Sequence, residues 1–192
     1  MSPRTAVQFE ELRSKSREKI ILASMKQFAQ KTYHNTTIAD ISKAAGISKG
    51  LIYNYFETKE DILKGIIEYM FQIGDKIMEE SLSHTDPKDE LRSMIDQLFQ
   101  FLKQQGEISR MLIPLALELG SFNYINKVME RKMESYLGKL IEIMEHMGFE
   151  DPEMEAWSLG VLFDGISLDY NVLGKKFPAK RMQQYLYKRY EL

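Results

Sequence analysis

Between Thr37 and Leu63 the chain reads TIADISKAAGISKGLIYNYFETKEDIL, a stretch so densely punctuated that few backbone paths satisfy it. Thr37 with Asp40 three residues on is a capping box, so a helix starts there with Ile38, Ile41 and Ala45 on one side. Gly46 ends it. Ser48 caps a second helix, and Ile47 and Ile52 stand at the flanking positions where apolar side chains staple the entry angle. Thr58 with Asp61 marks a third start. Helix, short glycine turn, helix is the helix-turn-helix arrangement, whose second helix can lie in a DNA major groove.

The second helix, read from Ser48 to Phe56, buries Ile52 and Phe56, which are four apart. Gly50, Tyr53 and Asn54 then point outward, with Leu51 on the flank. Lys49 sits in the first turn, where the helix dipole disfavours a cation, so a negative partner such as phosphate accounts for it. Lys49, Thr37, the tyrosine hydroxyls and the helix N-terminal amides are donors suited to holding a DNA backbone in register. Asn54 and Leu51 suit base edges or a thymine methyl.

Thr37, Ala39, Ala45-Gly46-Ile47-Ser48, Gly50, Tyr53, Tyr55-Phe56, Lys59 and Leu63 together resemble the N-terminal signature of the tetracycline-repressor (TetR) family. The resemblance spans Ile21 to Leu63; beyond it only size and helical pattern fit. It implies a ligand-responsive homodimeric regulator that represses from palindromic operator DNA and is released by a small effector. It also implies that Lys49, Gly50, Leu51, Tyr53, Asn54 and Tyr55 face DNA, that Thr37 and Lys59 hold phosphates, and that the last two long helices form the dimer interface. Thr32 departs from the pattern by standing where the family usually has glycine. A β-branched residue is poor in a left-handed turn, so a differently shaped exit from the first helix is expected.

Charge distribution agrees with a contact confined to one end. Residues 1–60 hold ten Lys and Arg against six Asp and Glu, a net +4, and the remaining residues carry −6, giving −2 for the chain. Cysteine is absent, which removes disulfide and thiolate chemistry and fits a reducing compartment. The opening MSPRTAVQFEELRSKSREKI has charges where a signal peptide needs an apolar run, so a cytoplasmic location is expected.

The rest reads as helices throughout. Residues 1–13 look loose, with Arg4 and Arg13 as candidate DNA arms, and a helix is expected from Ser14 to Lys31. A long helix from Lys59 to about Ser81 joins head to body, its Gly65 and Gly74 being either hinges or close-packing positions. Asp86-Pro87 and Asp151-Pro152 open further helices. Pro114 should break or kink the helix around it, and Gly120-Ser121 restarts the chain. The run from Trp157 to Leu173 is apolar on more than one face, as expected of a helix buried or shared with another subunit. The fold class is thus all-α: a three-helix DNA-binding head over residues 1–58 and a ligand-binding and dimerising body over residues 59–192.

Methionine is concentrated in the body, where it would suit a pocket for a lipophilic ligand. Met94, Leu98, Met111, Leu115, Met133, Tyr136 and Trp157 form the candidate wall, near Pro114. Asp164 interrupts an apolar helix and needs a partner, either a cationic ligand group, a hydrogen bond across a dimer interface or a solvated notch. No histidine has a second at metal-ligand spacing, and no phosphate loop, dinucleotide glycine pattern or nucleophile elbow is present, so neither metal, cofactor nor catalysis is expected. A co-repressor-dependent regulator or an activator of the same fold fits the sequence equally, and two other classes keep the same helices: a small-molecule carrier that uses the body with the head as scaffold, and a ligand-independent DNA binder that uses only the head.

Overall fold

The computed structural model describes residues 6–119 and 122–192, without the side chains of residues 6, 7, 9, 118, 119, 123 and 124. Arg4 and Gly120-Ser121 therefore lie outside the described residues. The chain divides into two compact units, Met1–Gln72 and Ile73–Leu192. Among the described residues there is no strand, and no helix is long and apolar enough to cross a membrane.

The first unit holds α1 (Ala6–Lys31), α2 (Ile38–Ala45), α3 (Lys49–Tyr53) and the first turns of α4 (Lys59–Ser81). Helix α1 begins well before Ser14, so the segment read as loose is helical from Ala6 and includes Arg13; neither Gly nor Pro interrupts it. Its core joins Ile20, Ile21, Met25 and Phe28 to Ile41, Ala45, Ile52 and Phe56, and to Ile62, Leu63, Ile66 and Ile67 of α4. Those four residues, at helical spacing, bind the start of α4 into the first unit. The division at Gln72 accordingly falls inside α4, whereas the sequence had suggested its start.

Thr32 takes φ 69°, the left-handed conformation a glycine would take, and so corrects the expectation of a different exit. Its amide donates to the Phe28 carbonyl at 2.9 Å, and its side-chain oxygen accepts from Asn35 Nδ2 at 3.2 Å. The turn's own hydrogen bonds thus outweigh the roughly 1–2 kcal/mol that a Cβ costs in this conformation.

The second unit contains the rest of α4, then α5 (Pro87–Gln104), α6 (Gly106–Leu119), α7 (Asn123–His146), α8 (Pro152–Leu173), a 3-10 turn at Gly174–Lys176, and α9 (Ala179–Arg189). Asp86 caps α5 by accepting from the Lys88 amide at 2.8 Å, and Asp151 caps α8 by accepting from that of Met154 at 3.1 Å. Pro114 does not break α6, which runs through it. The core unites Leu91, Met94, Ile95, Phe99 and Leu102 of α5 with Ile143 and Met144 of α7, Ala156, Leu159 and Ile166 of α8, and Phe177, Leu186 and Tyr190.

Both doubtful glycines are packing positions. A Cβ on Gly65 would lie 2.9 Å from Phe56 Cε1, and one on Gly74 would lie 3.0 Å from Tyr136 Cζ. Each lets an aromatic ring lie against the α4 backbone within its own unit.

Candidate nucleic-acid interface

The start of α2 is fixed by reciprocal hydrogen bonds. The Thr37 amide donates to Asp40 Oδ2 at 2.9 Å, and the Asp40 amide donates to Thr37 Oγ1 at 3.2 Å. The Thr37 hydroxyl also donates to Asp40 Oδ2, at 2.6 Å, and Lys31 Nζ reaches Asp40 Oδ1 at 2.7 Å. Lys31 first, then Thr37, hold the Asp40 carboxyl well below the usual carboxylate range. Because the hydroxyl proton of Thr37 goes to Asp40, what this helix start offers an anion is chiefly the first-turn amides of Ile38 and Ala39, which have no acceptor within the helix.

Gly46, at φ 63°, turns the chain between α2 and α3, its amide donating to the Lys43 carbonyl at 3.3 Å. The Ile47 amide donates to Ser42 O at 3.1 Å, and the Ser42 hydroxyl returns a bond to Ile47 O at 2.6 Å. Ser48 then caps α3, accepting from the Leu51 amide at 3.2 Å. Helix α3 itself ends at Tyr53, shorter than the Ser48–Phe56 reading. The Tyr55 and Phe56 amides still donate to Ile52 O, at 2.9 and 3.0 Å, so the chain stays wound through Phe56.

Ile52 and Phe56 are buried, which turns the opposite side of α3 to solvent. Gly50, Tyr53 and Asn54 are exposed there, Tyr53 by 53%, Lys49 is exposed in the first turn, and Leu51 and Tyr55 are half-buried at the flanks. A Cβ on Gly50 would meet nothing within 4 Å, so a large partner can approach the backbone at this point. Thr37 is exposed as well.

Lys59 is placed differently from the other seven residues. Its ammonium donates to the carbonyls of Tyr33 at 2.8 Å, Thr36 at 3.0 Å and His34 at 3.5 Å, and lies 4.3 Å from the centre of the Tyr33 ring. The side chain expected to hold a phosphate thus holds the α1–α2 connection. Sequence reading missed this clamp because its acceptors are backbone atoms, which no residue type announces.

The candidate ligand wall is not brought together as one surface. Met94 and Leu98 pack in the closed core of the second unit, and Met111 and Leu115 are buried on α6. Tyr136 is half-buried, its hydroxyl donating to Asp75 Oδ1 at 3.1 Å, and its phenol is pushed far up by burial and by Asp75. Met133 and Trp157, however, are 55% and 50% exposed. Trp157 lines an open groove of about 490 Å³ with Met154, Ser158, Val161, Leu162, Tyr185 and Arg189. Asp164 is on the surface of α8, with its carboxyl pushed up by partial desolvation. Helical spacing marks apolar faces without distinguishing a filled core, a cavity wall and a solvent face, which is why these residues were grouped.

A further feature is the exposed apolar stripe on α8: Met154, Trp157, Val161, Leu168 and Val172, with Tyr185 of α9 beside it. The spacing of three, four, seven and four residues keeps it on one side of the helix, opposite the buried Ala156, Leu159 and Ile166.

Comparison with known proteins falls on the same elements. Residues 20–66 match the sequence profile described as "Bacterial regulatory proteins, tetR family". The fatty acid metabolism regulator protein of Bacillus subtilis (strain 168) is 30% identical over 127 residues, 65% of this chain and 64% of that protein. The chain spans smaller shares, 36% and 54%, of two other regulators from that organism. Among solved structures, the fatty acid degradation regulator FadR from Bacillus halodurans superposes with a TM-score of 0.72 at 24% identity, over 91% of this chain and 94% of that one. AibR in complex with isovaleryl coenzyme A and operator DNA superposes with a TM-score of 0.70 at 17% identity, over 89% and 95%. At these identities the superpositions establish the fold.

Proposed function

Since the chain belongs to the tetR family of bacterial regulatory proteins, we propose that it is a transcriptional regulator that binds palindromic operator DNA as a homodimer and answers to a small lipophilic ligand. The observation that carries this reading is the outward face of α3. Lys49, Gly50, Tyr53 and Asn54 are exposed on a helix held by Ser48, Gly46 and the buried Ile52. A short helix and its C-cap presenting a lysine, an exposed ring, a bare glycine backbone and the Asn54 amide suit a polyanionic surface and base edges. Leu51 and Tyr55 flank this face, and Thr37 is exposed at the start of α2.

The α8 stripe supports the homodimer. A row of half- to two-thirds-exposed Trp and Val side chains is unfavourable in water and becomes favourable against a second copy of itself. Two copies would supply the pair of α3 helices that a palindromic site requires. A lipophilic effector is supported by the relatives' names, one a fatty acid metabolism regulator and one bound to isovaleryl coenzyme A, and by the methionine-rich second unit. Helix α4, continuous across both units, is the element through which ligand would change the placement of α3. Repression relieved by ligand follows if the ligand-bound placement no longer matches successive grooves. A coupling of about 1–3 kcal/mol would change operator affinity roughly 5- to 150-fold.

The test begins with selection of duplexes from a random pool, followed by binding titrations at several salt concentrations. A selected palindrome whose affinity falls steeply with salt is the expected result. Recovery of no preferred sequence and no salt-dependent binding would reject the reading. Adding short-chain and long-chain acyl coenzyme A to the complex then tests effector chemistry, with loss of DNA as the expected response.

A further inference from the structure

Resting on the regulator reading above, we propose that Lys59 is a positioning residue for DNA binding, acting through the α1–α2 connection rather than on a phosphate. Three backbone carbonyls, those of Tyr33, His34 and Thr36, converge on its ammonium at 2.8, 3.5 and 3.0 Å. Converging carbonyl dipoles repel one another, so a cation at their centre stabilises this winding of the chain. The face of the Tyr33 ring, 4.3 Å away, adds a further attraction of the same sign. An ammonium has three donors, and the carbonyls match that number.

The connection is tied to α1 as well. The Thr36 hydroxyl donates to the carbonyl of Thr32 at 2.8 Å, with that of Gln27 3.3 Å away, and Thr32 takes its left-handed φ there. Thr36 is 1% exposed, and Tyr33 packs edge-on against the buried Phe28 at 5.2 Å. Residue Thr37 follows directly, so the point at which the chain enters α2 is set by whatever fixes Thr36. Lys59 fixes it from the first turn of α4. The ammonium therefore ties α4 to the start of α2, whose Ile38 and Ala39 amides are the groups offered to a DNA backbone. An ammonium already donating to carbonyls would have to abandon them to reach a phosphate.

Two mechanisms for the same lysine differ in a measurable way. A direct phosphate contact releases counterion, and its loss lowers the salt slope of binding by about 0.9 per protomer. Loss of a positioning contact weakens the neutral amide contacts and leaves the slope alone. The experiment uses full-length protein and a fluorescent duplex selected from a random pool by the wild type. Its affinity is measured for wild type and Lys59→Met across a range of sodium chloride concentrations. We expect dissociation constants raised by roughly tenfold at every concentration, the loss of about one well-placed hydrogen bond per protomer, with parallel salt slopes. A slope reduced by about 0.9 per protomer, or an unchanged affinity, would overturn the positioning role while leaving the regulator reading standing. A wild type that selects no duplex would remove that reading and this role with it.

A second measurement needs no variant. In wild-type protein the Lys59 ammonium resonance, observed by nitrogen-15 NMR, should be protected from exchange without DNA and should keep its shift when the duplex is added. A resonance that appears or moves only on DNA binding would place the ammonium on a phosphate and overturn the proposal.

Discussion

Replacing Val161 by serine isolates the proposed contact between copies from the folding of each copy. Val161 is 66% exposed on α8, whereas its neighbours Leu159 and Ala156 are fully buried, so the change leaves the subunit core intact. Serine and valine have similar helix propensity, which removes a second source of instability. Burying a whole valine side chain is worth about 1.5 kcal/mol at the lower end, so the exposed two-thirds contributes about 1 kcal/mol when a partner covers it. A homodimer with twofold symmetry loses this twice, about 2 kcal/mol, and its dissociation constant should rise roughly 30-fold. Desolvation of the two new hydroxyls adds to the loss. Sedimentation velocity over a wide concentration range measures the constant, with a thermal melt of the monomeric fraction as control. A dimer whose constant stays within about threefold of wild type would show that α8 does not meet its copy at Val161.

Further outcomes follow from single contacts. Lys49→Ala should lower both affinity and salt slope, by about 0.9 per protomer, whereas Asn54→Ala should relax the base preference found by selection with little change in slope; unchanged affinity and preference in both would remove the α3 face from the interface. Because the Asp40 carboxyl is held below its ordinary value in the folded head, its contribution is present above about pH 4 and is lost as pH falls through the folded value. Urea midpoints at pH 7 and pH 3 should therefore differ less in Asp40→Asn than in wild type, and an equal difference would reject the capping argument. Gly74→Ala should destabilise by about 1 kcal/mol net, the cost of pushing Tyr136 aside exceeding the gain in helix propensity. In a Tyr136→Ala background the sign should reverse, which thermal melts of the four proteins would show or refute.

Local chemistry made much of the head legible. Thr37 with Asp40 and Ser48 with Leu51 act within four residues, so residue type and spacing suffice to place two helix starts. Asp86-Pro87 and Asp151-Pro152 are equally self-contained. The outward side of α3 could be read because Ile52 and Phe56, four apart, mark its inward side. Pro114 was also read locally, from its missing amide, yet α6 runs through it unbroken.

What required tertiary structure was any fact depending on atoms distant in sequence. Lys59 and Tyr33 are 26 positions apart, and the carbonyls that hold the lysine are common to every residue type, so the sequence named the cation without naming its partner. Thr32 accepts a left-handed φ because Asn35 and Thr36 tie down its turn, a balance that propensity alone gets backwards. Helix α8 shows the division most plainly. Its sequence determined that two sides are apolar, since spacing fixes the direction in which each side chain leaves the helix axis. Only the packing of α5, α6 and α7 against it decided which side became core and which, carrying Trp157, Val161 and Val172, was left on the surface, because burial belongs to the neighbours a side chain finds and not to the side chain.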